Sequence, residues 1–339
     1  FVYNIDRVVE PLLNAYEILD SEKEGQSYEL FKDLINRFPE FQYNEDATYD
    51  QPGADLGFEV DSLFDLTFPD LAFDILNEAT TSPRGTFGLP SDVTIRYHHG
   101  MAAPNDHAIE ELENKFLAGA GRWGSPENAP IHIKRIITNT HLSTNSIYPT
   151  DFSQGFVNGE NDRVYIDEAD IVQQQYSSNA TFVGLDKAIV PRAFSSVTGP
   201  VYQLRGYSYS MFAIEQAGLL AALKRENEDY MLFVENDLDC QDDSSLWYDY
   251  SSESFHLYQG SGQNSQRYGL NVNELRTLIL NHVGTKNPSG LARKEFIKNL
   301  AGNYLIIDNI TGEVSGTAPT SEGYKGEILM PEFPELISE

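Results

Sequence analysis

The sequence predicts an α+β protein built from tandem domains, and three observations lead to that prediction. A short phrase (apolar, Asp, basic, two apolar residues, then Pro) occupies residues 5–11 and returns at 185–191, which is 180 positions later (5 to 185). The chain of 339 residues is long enough for two domains of ordinary size. The 19 Tyr and 19 Phe favour β-rich packing, and apolar residues at helical spacing recur between the β-type runs.

The charge of the chain excludes some classes of partner. There are 52 Asp and Glu against 23 Lys and Arg, for a formal net charge of −29, so binding to nucleic acid or to anionic lipid is not expected. The acidity favours either a solvated, self-repelling surface or one that attracts divalent cations. Cys240 is the only cysteine, which rules out an intrachain disulfide. No apolar run approaches the roughly 20 residues that span a bilayer.

In the first predicted unit, the apolar spacing predicts helices and the alternation of apolar and polar residues predicts strands. The predicted helices cover 12–19, 28–38, a segment from Asp106 as N-cap to Leu117, and 130–142, which ends near His141. A polar loop is predicted at 42–55, a turn-rich insertion at 83–90 and a β run at 93–97. Residues 165–191 predict a strand from Tyr165, a turn at 177–179, a second strand, and a stop at Pro191.

The second predicted unit repeats this order after a linker. Residues 192–206 are rich in Ser, Gly and Pro, which is typical of a linker. The patterns that follow predict a helix at 209–223, a helix at 270–280 ending at His282 and a hairpin turn at 311–313. A strand with its turn at 229–237 and a strand entry at 296–308 are expected from resemblance to a known family.

Several phrases resemble a known family. Residues 183–191 (VGLDKAIVP) look like the closing segment of a fasciclin-like domain, and residues 103–109 (APNDHAI) resemble the phrase between its first strand and the next helix. Residues 300–307 (LAGNYLII) resemble its later strand entry. The second copy departs from the family pattern at 234–237 (VEND), and both copies carry long insertions.

The resemblance covers nearly the whole chain and implies a domain plan. It implies tandem fasciclin-like domains, each a β-sandwich wedge with packed helices. Residues 1–11 would be the last strand of a preceding domain, 12–191 a full domain, 192–206 a linker, and 207–339 a domain lacking its final strand. The style of the chain resembles fasciclin-domain lipoproteins of Bacteroidota outer membranes, held on the cell surface by a lipid on a missing N-terminus.

The resemblance also implies a non-enzymatic cell-surface module for binding or adhesion, with a protein or a glycan as partner. The alternative is an accessory subunit of a TonB-dependent, starch-utilisation-type uptake complex in the outer membrane. Long insertions at 42–90 and 240–269 would carry recognition in either case. Glu168, Asp170 and Ile171 resemble an acidic segment linked to adhesion in animal fasciclin domains, while the alternative for these residues is a strand with a solvated edge.

Clustered carboxylates and histidines are the other candidates for a metal or catalytic site. Asp237, Asp239, Asp242 and Asp243 fit either a solvated loop or an irregular cation site, because the spacing does not match an EF-hand. His98, His99 and His107 lack the H-E-x-x-H spacing of zinc proteases, which favours a surface loop. We expect His141 and His282 to hold backbone groups and Ser208 to cap a helix. A hydrolase would need a nucleophile or a carboxylate pair, and neither can be placed in this sequence. No catalytic residue, cofactor or metal is therefore expected.

Overall fold

Helices and strands alternate along the chain in the computed structural model, which confirms the α+β class. The structure describes residues 12–21, 25–52, 60–76, 79–81, 95–119, 121–225, 228–237, 246–259, 266–317 and 324–325. The chain divides into two units, the first comprising 1–115 with 129–190 and the second comprising 116–128 with 191–339. Within the described residues, no helix combines the length and the apolar character needed to cross a membrane.

Six helices and ten strands begin in the first unit. They are α1 Ala15–Leu19, α2 Glu29–Ile35, β1 Glu40–Tyr43, α3 Glu45–Tyr49, β2 Phe64–Thr67, β3 Ala79–Thr81, β4 Ile95–Tyr97, β5 His99–Pro104, α4 Asp106–Phe116, α5 Ile131–Thr140, β6 Leu142–Ser143, α6 Pro149–Gln154, β7 Phe156–Val157, β8 Arg163–Val164, β9 Ile171–Tyr176 and β10 Ala180–Leu185.

A four-stranded sheet in the order β6-β5-β10-β9 forms the centre of the first unit. Strand β10 runs parallel to β5 and antiparallel to β9, so the sheet is mixed. Every residue of β5 and of β10 is buried, as expected for strands covered on both faces. One buried cluster packs on this sheet: Ala102, Ile147, Phe152, Phe156, Val164, Ile166, Val183 and Leu185.

Helix α2 is fixed to the sheet by a glycine. A Cβ atom at Gly184 in β10 would lie 2.0 Å from the Tyr28 Oη, so only glycine lets that ring pack there. The Tyr28 ring meets Phe182 edge to face at a centroid distance of 5.3 Å, and its hydroxyl donates to the Gln173 Oε1 at 3.1 Å. Burial raises the pKa of Tyr28 to about 12, which keeps this donor protonated.

The second unit contains five helices and nine strands among the described residues. They are α7 Arg192–Ser195, α8 Gly199–Gln203, α9 Ser208–Gln216, α10 Leu220–Leu223, β11 Met231–Leu232, β12 Leu246–Asp249, β13 Ser254–Gln259, β14 Gln266–Gly269, α11 Val272–Asn281, β15 Val283–Gly284, β16 Lys294–Lys298, β17 Tyr304–Asp308, β18 Glu313–Gly316 and β19 Tyr324–Lys325.

The second unit holds three separate sheets in its described part. Strand β11 pairs with β15, the meander β12-β13-β14 forms a second sheet, and β16-β17-β18-β19 forms the third. The turn predicted at 311–313 is confirmed, since Gly312 has φ +69° and its N–H donates to the Asp308 carbonyl at 2.8 Å between β17 and β18. The helix predicted at 270–280 is also confirmed as α11.

Four predictions of secondary structure were wrong. The predicted loop at 42–55 contains α3, which Asn44 caps through its side chain. The predicted linker 192–206 forms α7 and α8, with Phe194 and Tyr202 fully buried. The predicted helix 209–223 breaks into α9 and α10 at Gly218, whose φ of +64° ends a helix. The fourth, at Tyr165, is described with the site.

Some predictions lie outside the described residues. They concern the strand at 1–11, the insertion at 83–90, Cys240, and three of the four clustered carboxylates, Asp239, Asp242 and Asp243. The β-sandwich wedge and the domain boundaries stay predictions.

Candidate functional site

The three predicted adhesion residues lie on a tight acidic turn that leads into β9. Residues Glu168–Asp170 form one turn of 3-10 helix, and Ile171 begins the strand. The predicted strand from Tyr165 was therefore wrong over 165–170. The reason is the Asp167 side chain, which accepts the Ala169 N–H at 3.0 Å and so favours a turn over extended backbone.

Backbone and ionic contacts attach the turn to residues 186–187. The Asp170 carbonyl accepts the Asp186 N–H at 2.9 Å. The Lys187 Nζ lies 4.0 Å from the Asp170 Oδ2, at the outer limit of an ion pair and with the lysine exposed. Such an exposed pair contributes at most about 1 kcal/mol. Asp170 is therefore held mainly through its backbone, and the exposed Glu168 side chain points its charge to solvent.

Ile171 has a different role from the two acidic residues. It is half-buried and packs against the cluster on the first sheet, so its side chain anchors the turn. The pairing of β9 with β10 skips a residue here, because Leu185 faces Ile171 while Gly184 faces Gln173. Bulges of this kind make an edge strand a poor template for strand addition. The three predicted residues thus lie on one turn, and among them Glu168 is the exposed side chain.

The paired histidines hold backbone groups, as predicted. The ring of His141 is fully buried at the end of α5, its Nδ1–H donates to the Ile137 carbonyl at 2.8 Å, and its Nε2 accepts the Ile189 N–H at 2.9 Å. Burial lowers the pKa of His141 to about 4, and the Ile137 carbonyl opposes this in part. His282 ends α11 in the same way, with its Nδ1 2.7 Å from the Leu278 carbonyl.

The three other clustered histidines are engaged separately. The His99 Nδ1 lies 2.9 Å from the Thr144 carbonyl, and its ring stacks on Phe73 at 4.4 Å. His98 contacts Ser146 and the Ser177 carbonyl, and His107 faces Glu111 on the surface of α4. Among the described residues, no group of three or more His, Cys, Asp or Glu side chains could hold a metal ion.

Two aspartates cap a helix that lies far away in sequence, and they do so in the same way in both units. The Asp106 Oδ1 accepts the Leu30 N–H at 2.8 Å, at the start of α2. The Asp237 carboxylate accepts the N–H groups of Ser208 and Tyr209 at 2.7 and 3.2 Å, at the start of α9. Negative charge at a helix N-terminus is stabilising. Burial raises the pKa of Asp237, while these two N–H donors lower it in part.

These contacts correct two predicted caps. Asp106 was expected to cap α4, but the Asn105 Oδ1 accepts the Ala108 N–H at 2.9 Å and serves that helix. Ser208 was expected to cap α9, but it is the first helical residue, and Tyr207 is the N-cap. The N-cap of α2, Tyr28, has nearly the same backbone angles: φ −124° and ψ 22° against φ −125° and ψ 25°.

The insertion 240–269, a possible contact surface by sequence, carries an ordered aromatic face in its described part. The guanidinium of Arg267 on β14 lies 3.8 Å from the ring centroid of Trp247 on β12, in a cation–π contact. Asp249 accepts a hydrogen bond from the Arg267 Nη2 at 2.8 Å. The Ser251 hydroxyl and N–H, together with Arg267, lower the pKa of Asp249, so its charge is kept.

The opposite face of this meander holds it on the second unit. Phe255 is fully buried and lies 4.8 Å from the Tyr248 ring, which contacts Phe212 on α9 at 5.6 Å. Because side chains alternate across a strand, the packing of Tyr248 against Phe212 and Phe255 leaves Trp247 and Asp249 on the other face. We define the aromatic face as Trp247, Asp249 and Arg267.

A shallow groove lies beside the meander along α11. It encloses about 500 Å³ and is lined by both apolar and polar side chains, including Leu257, Leu270, Asn271, Glu274, Thr277 and Leu278. Tyr268 is exposed and donates through its hydroxyl to the Glu274 Oε1 at 2.6 Å. The alternation of polar Ser254 and His256 with apolar Phe255 and Leu257 is the sequence signal that could have revealed β13.

No family model and no curated protein matches the chain. Among solved structures, the chain is similar to a FAS1 domain pair from the insect cell adhesion molecule fasciclin I, with 12% sequence identity over 65% of this chain and 81% of that chain. The TM-score of this comparison is 0.22, so the superposition carries no argument about fold or function.

Proposed function

We propose that the protein is a non-enzymatic binding or adhesion module of the cell surface, built from fasciclin-like domains. The observation that carries the proposal is the aromatic face on the second unit. Trp and Arg are the residue types on which protein interfaces most often depend, and here both are ordered before any partner binds. An ordered contact surface loses less entropy on binding.

The fasciclin-like assignment rests on features of this chain that occur twice. In each unit one helix, α2 or α9, has a Tyr N-cap and is capped by an aspartate from later in the chain. A later helix, α5 or α11, ends at a histidine. Of these positions, Asp106 lies within a phrase that resembles the family, at residues 103–109. A location on the bacterial cell surface, with an outer-membrane lipid anchor, belongs to the same proposal and rests on the sequence resemblance alone.

The acidic turn is a secondary contact in this proposal. Exposed charges at the rim of an interface steer encounter and contribute little affinity. Glu168 is exposed and Ile171 is anchored in the core, so the turn fits a rim better than a centre. No feature of the described residues favours the accessory-subunit alternative.

The test measures how many beads coated with the 339-residue chain are retained on each probe surface. The probes are a glycan array, immobilised collagen and a surface coated with the same chain. We expect retention above that of albumin-coated beads on at least one probe. Trp247→Ala should lower retention at least about tenfold, because loss of a central hot spot typically exceeds 1.4 kcal/mol. Phe296→Ala is the matched control, since Phe296 is 60% exposed on β16 outside the meander, and its retention should not change.

The outcomes separate the parts of the proposal. Absence of retention on every probe overturns the adhesion function. If retention is unchanged in Trp247→Ala, the aromatic face is not the binding surface. If Glu168→Gln lowers retention more than about tenfold, the acidic turn is the binding surface. Stoichiometric capture of a TonB-dependent transporter from mild-detergent extracts of native membranes would replace adhesion with the accessory-subunit function.

A further inference from the structure

Strands β1 and β2 of the first unit form a two-stranded ribbon with α3 between them in the chain. We define the acidic ribbon as residues 40–52 and 60–67. Phe38, shortly before β1, is buried, and Phe68, directly after β2, is fully buried. Between these two anchors every residue of β1 is exposed. The acidic ribbon is therefore fixed in the core at its base, while its strands are open to solvent.

One face of the acidic ribbon is aromatic. Side chains directly opposite each other on paired strands share a face, and here these are Tyr43 with Phe64 and Phe41 with Leu66. The rings of Tyr43 and Phe64 meet edge to face at a centroid distance of 5.7 Å. Phe41 is 66% exposed, Phe64 55% and Tyr43 48%. Neighbouring exposed rings that are already ordered are typical of a contact surface.

The tip of the acidic ribbon is built from α3 and the residues that precede β2. The Gln51 Nε2 donates to the Thr48 carbonyl at 3.0 Å and to the Asp61 carbonyl at 2.6 Å. The Thr48 hydroxyl in turn accepts the Leu63 N–H at 2.9 Å. These bonds hold the chain before β2 against the end of α3. They bring together four exposed carboxylates, which are those of Glu45, Asp46, Asp50 and Asp61.

The charge of this part of the chain has one sign. From residue 38 to residue 83 the sequence contains no Lys, Arg or His. Acidic residues stand at positions 40, 45, 46, 50, 55, 59, 61, 65, 70, 74 and 78. Complementary charge across an interface selects the partner and speeds its approach. The acidic ribbon therefore favours a positively charged occupant.

The chemistry of the surface narrows the choice of cation. No group of three or more His, Cys, Asp or Glu side chains in the described part of the chain could hold a metal ion, which disfavours a divalent cation. A second copy of the chain carries the same net charge of −29, which opposes self-association here. Arg side chains suit both parts of the surface, because a guanidinium stacks on aromatic rings and pairs with carboxylates.

We propose that the acidic ribbon is a docking surface for an Arg-rich segment of a partner protein. Arg side chains of the partner stack on the face formed by Phe41, Tyr43 and Phe64, and its other cations pair with the carboxylates of the tip. This surface belongs to the first unit and shares no residue with the aromatic face of the second. The proposal therefore goes beyond the binding function argued above and does not depend on it.

The test measures fluorescence anisotropy of a labelled peptide of six Arg-Ser repeats, titrated with the 339-residue chain. Peptides of six Lys-Ser and six Glu-Ser repeats are compared with it. We expect the Arg peptide to bind more tightly than the Lys peptide, because only the planar guanidinium stacks on the rings. The Glu peptide should not bind. Binding of the Arg peptide should weaken as NaCl is raised, since exposed charges are screened.

Matched substitutions locate the contact. Phe41→Ala should lower affinity for the Arg peptide at least about threefold, the size of one exposed cation–π contact. Phe296→Ala is the control, because Phe296 is 60% exposed on β16 of the second unit, and affinity should not change. Asp61→Lys should lower affinity at least about threefold more than Glu110→Lys. The latter makes the same change of net charge at an exposed position of α4, outside the acidic ribbon.

Several results would each overturn the proposal. They are absence of binding by the Arg peptide, equal affinities for the Arg and Lys peptides, and equal losses within either matched pair of variants. A dimer in light scattering that Phe41→Ala dissociates would make a second copy the occupant. Lower retention of Phe41→Ala beads on the glycan array, with peptide affinity unchanged, would make it a glycan. Trp247→Ala should leave peptide affinity unchanged, so failure of this proposal is distinct from failure of the proposed function.

Discussion

Protonation of His141 should couple the stability of the first unit to pH. The ring is fully buried, its Nδ1–H is donated to the Ile137 carbonyl, and its Nε2 accepts the Ile189 N–H. A proton added at Nε2 would place two donors face to face. The pKa of His141 falls from 6.5 to about 4 in the folded chain, chiefly because burial opposes the charge.

The sign of the effect follows from the two pKa values. Between about pH 6.5 and pH 4 the unfolded chain binds a proton at His141 and the folded chain does not. The free energy of unfolding therefore falls as the pH falls through this window. The stabilisation that comes from keeping His141 neutral in the folded chain is complete above pH 6.5. From pH 7.5 to pH 5 this stabilisation falls by about 2 kcal/mol, out of a total of about 3 kcal/mol that full protonation would remove.

The measurement compares the unmodified chain with His141→Gln, which keeps a donor and an acceptor but does not titrate. Urea unfolding is followed by far-ultraviolet circular dichroism at pH 7.5 and pH 5. We expect the unmodified chain to lose about 2 kcal/mol more between these values than the variant. His99, whose pKa burial also lowers, is present in both proteins, so its effect cancels.

Tryptophan fluorescence provides an internal control. Trp123 and Trp247, the two tryptophans of the chain, both belong to the second unit, so their emission reports that unit. The His141→Gln change is not expected to alter its pH dependence. Equal losses of stability in the two proteins between pH 7.5 and 5 would refute the reasoning, since His141 would then bind its proton as readily folded as unfolded.

Four further substitutions test the packing and the distant caps. Gly184→Ala should destabilise the first unit by about 1 to 3 kcal/mol in urea unfolding, because its Cβ would lie 2.0 Å from the Tyr28 Oη. Gly269→Ala is the control, since its Cβ would meet only ordinary contacts at 3.4 Å and its stability should change little. Equal losses of stability in the two variants would contradict the close approach at Gly184. Asp237→Ala should lower the free energy of unfolding by about 1 to 2 kcal/mol and speed amide exchange in the first turn of α9. Asp106→Ala should do the same in the first turn of α2. Faster exchange in α4 instead of α2 would show that Asp106 caps α4, the helix in which it lies.

The sequence predicted the elements that local patterns define. Helices α5 and α11 and their terminal histidines follow from apolar spacing, and the turn at Gly312 follows from hairpin chemistry. The Tyr165 strand failed because the Asp167 side chain competes for backbone N–H groups, an effect that alternation of apolar residues does not register.

The rest could not be predicted, because the partners lie far apart in the chain. Asp237 caps a helix that begins 29 positions earlier at Ser208, and Asp106 caps one whose bonded residue, Leu30, lies 76 positions away. Spacing patterns cover a few turns of helix and do not report such contacts. At the acidic turn, the sequence identified the carboxylates, but the anchoring of Ile171 depends on a core assembled from strands that only the fold brings together.

The parallel pairing of β5 with β10 has a consequence for biosynthesis. His99 lies opposite Ala180, 81 positions later in the chain. At about 5 to 20 residues per second, a ribosome needs roughly 4 to 16 s to add that stretch. During this interval β5 has been made but lacks the neighbour that buries it, and its unpaired edge is open to other nascent chains. The yield of folded first unit should therefore respond to the speed of translation between these two strands.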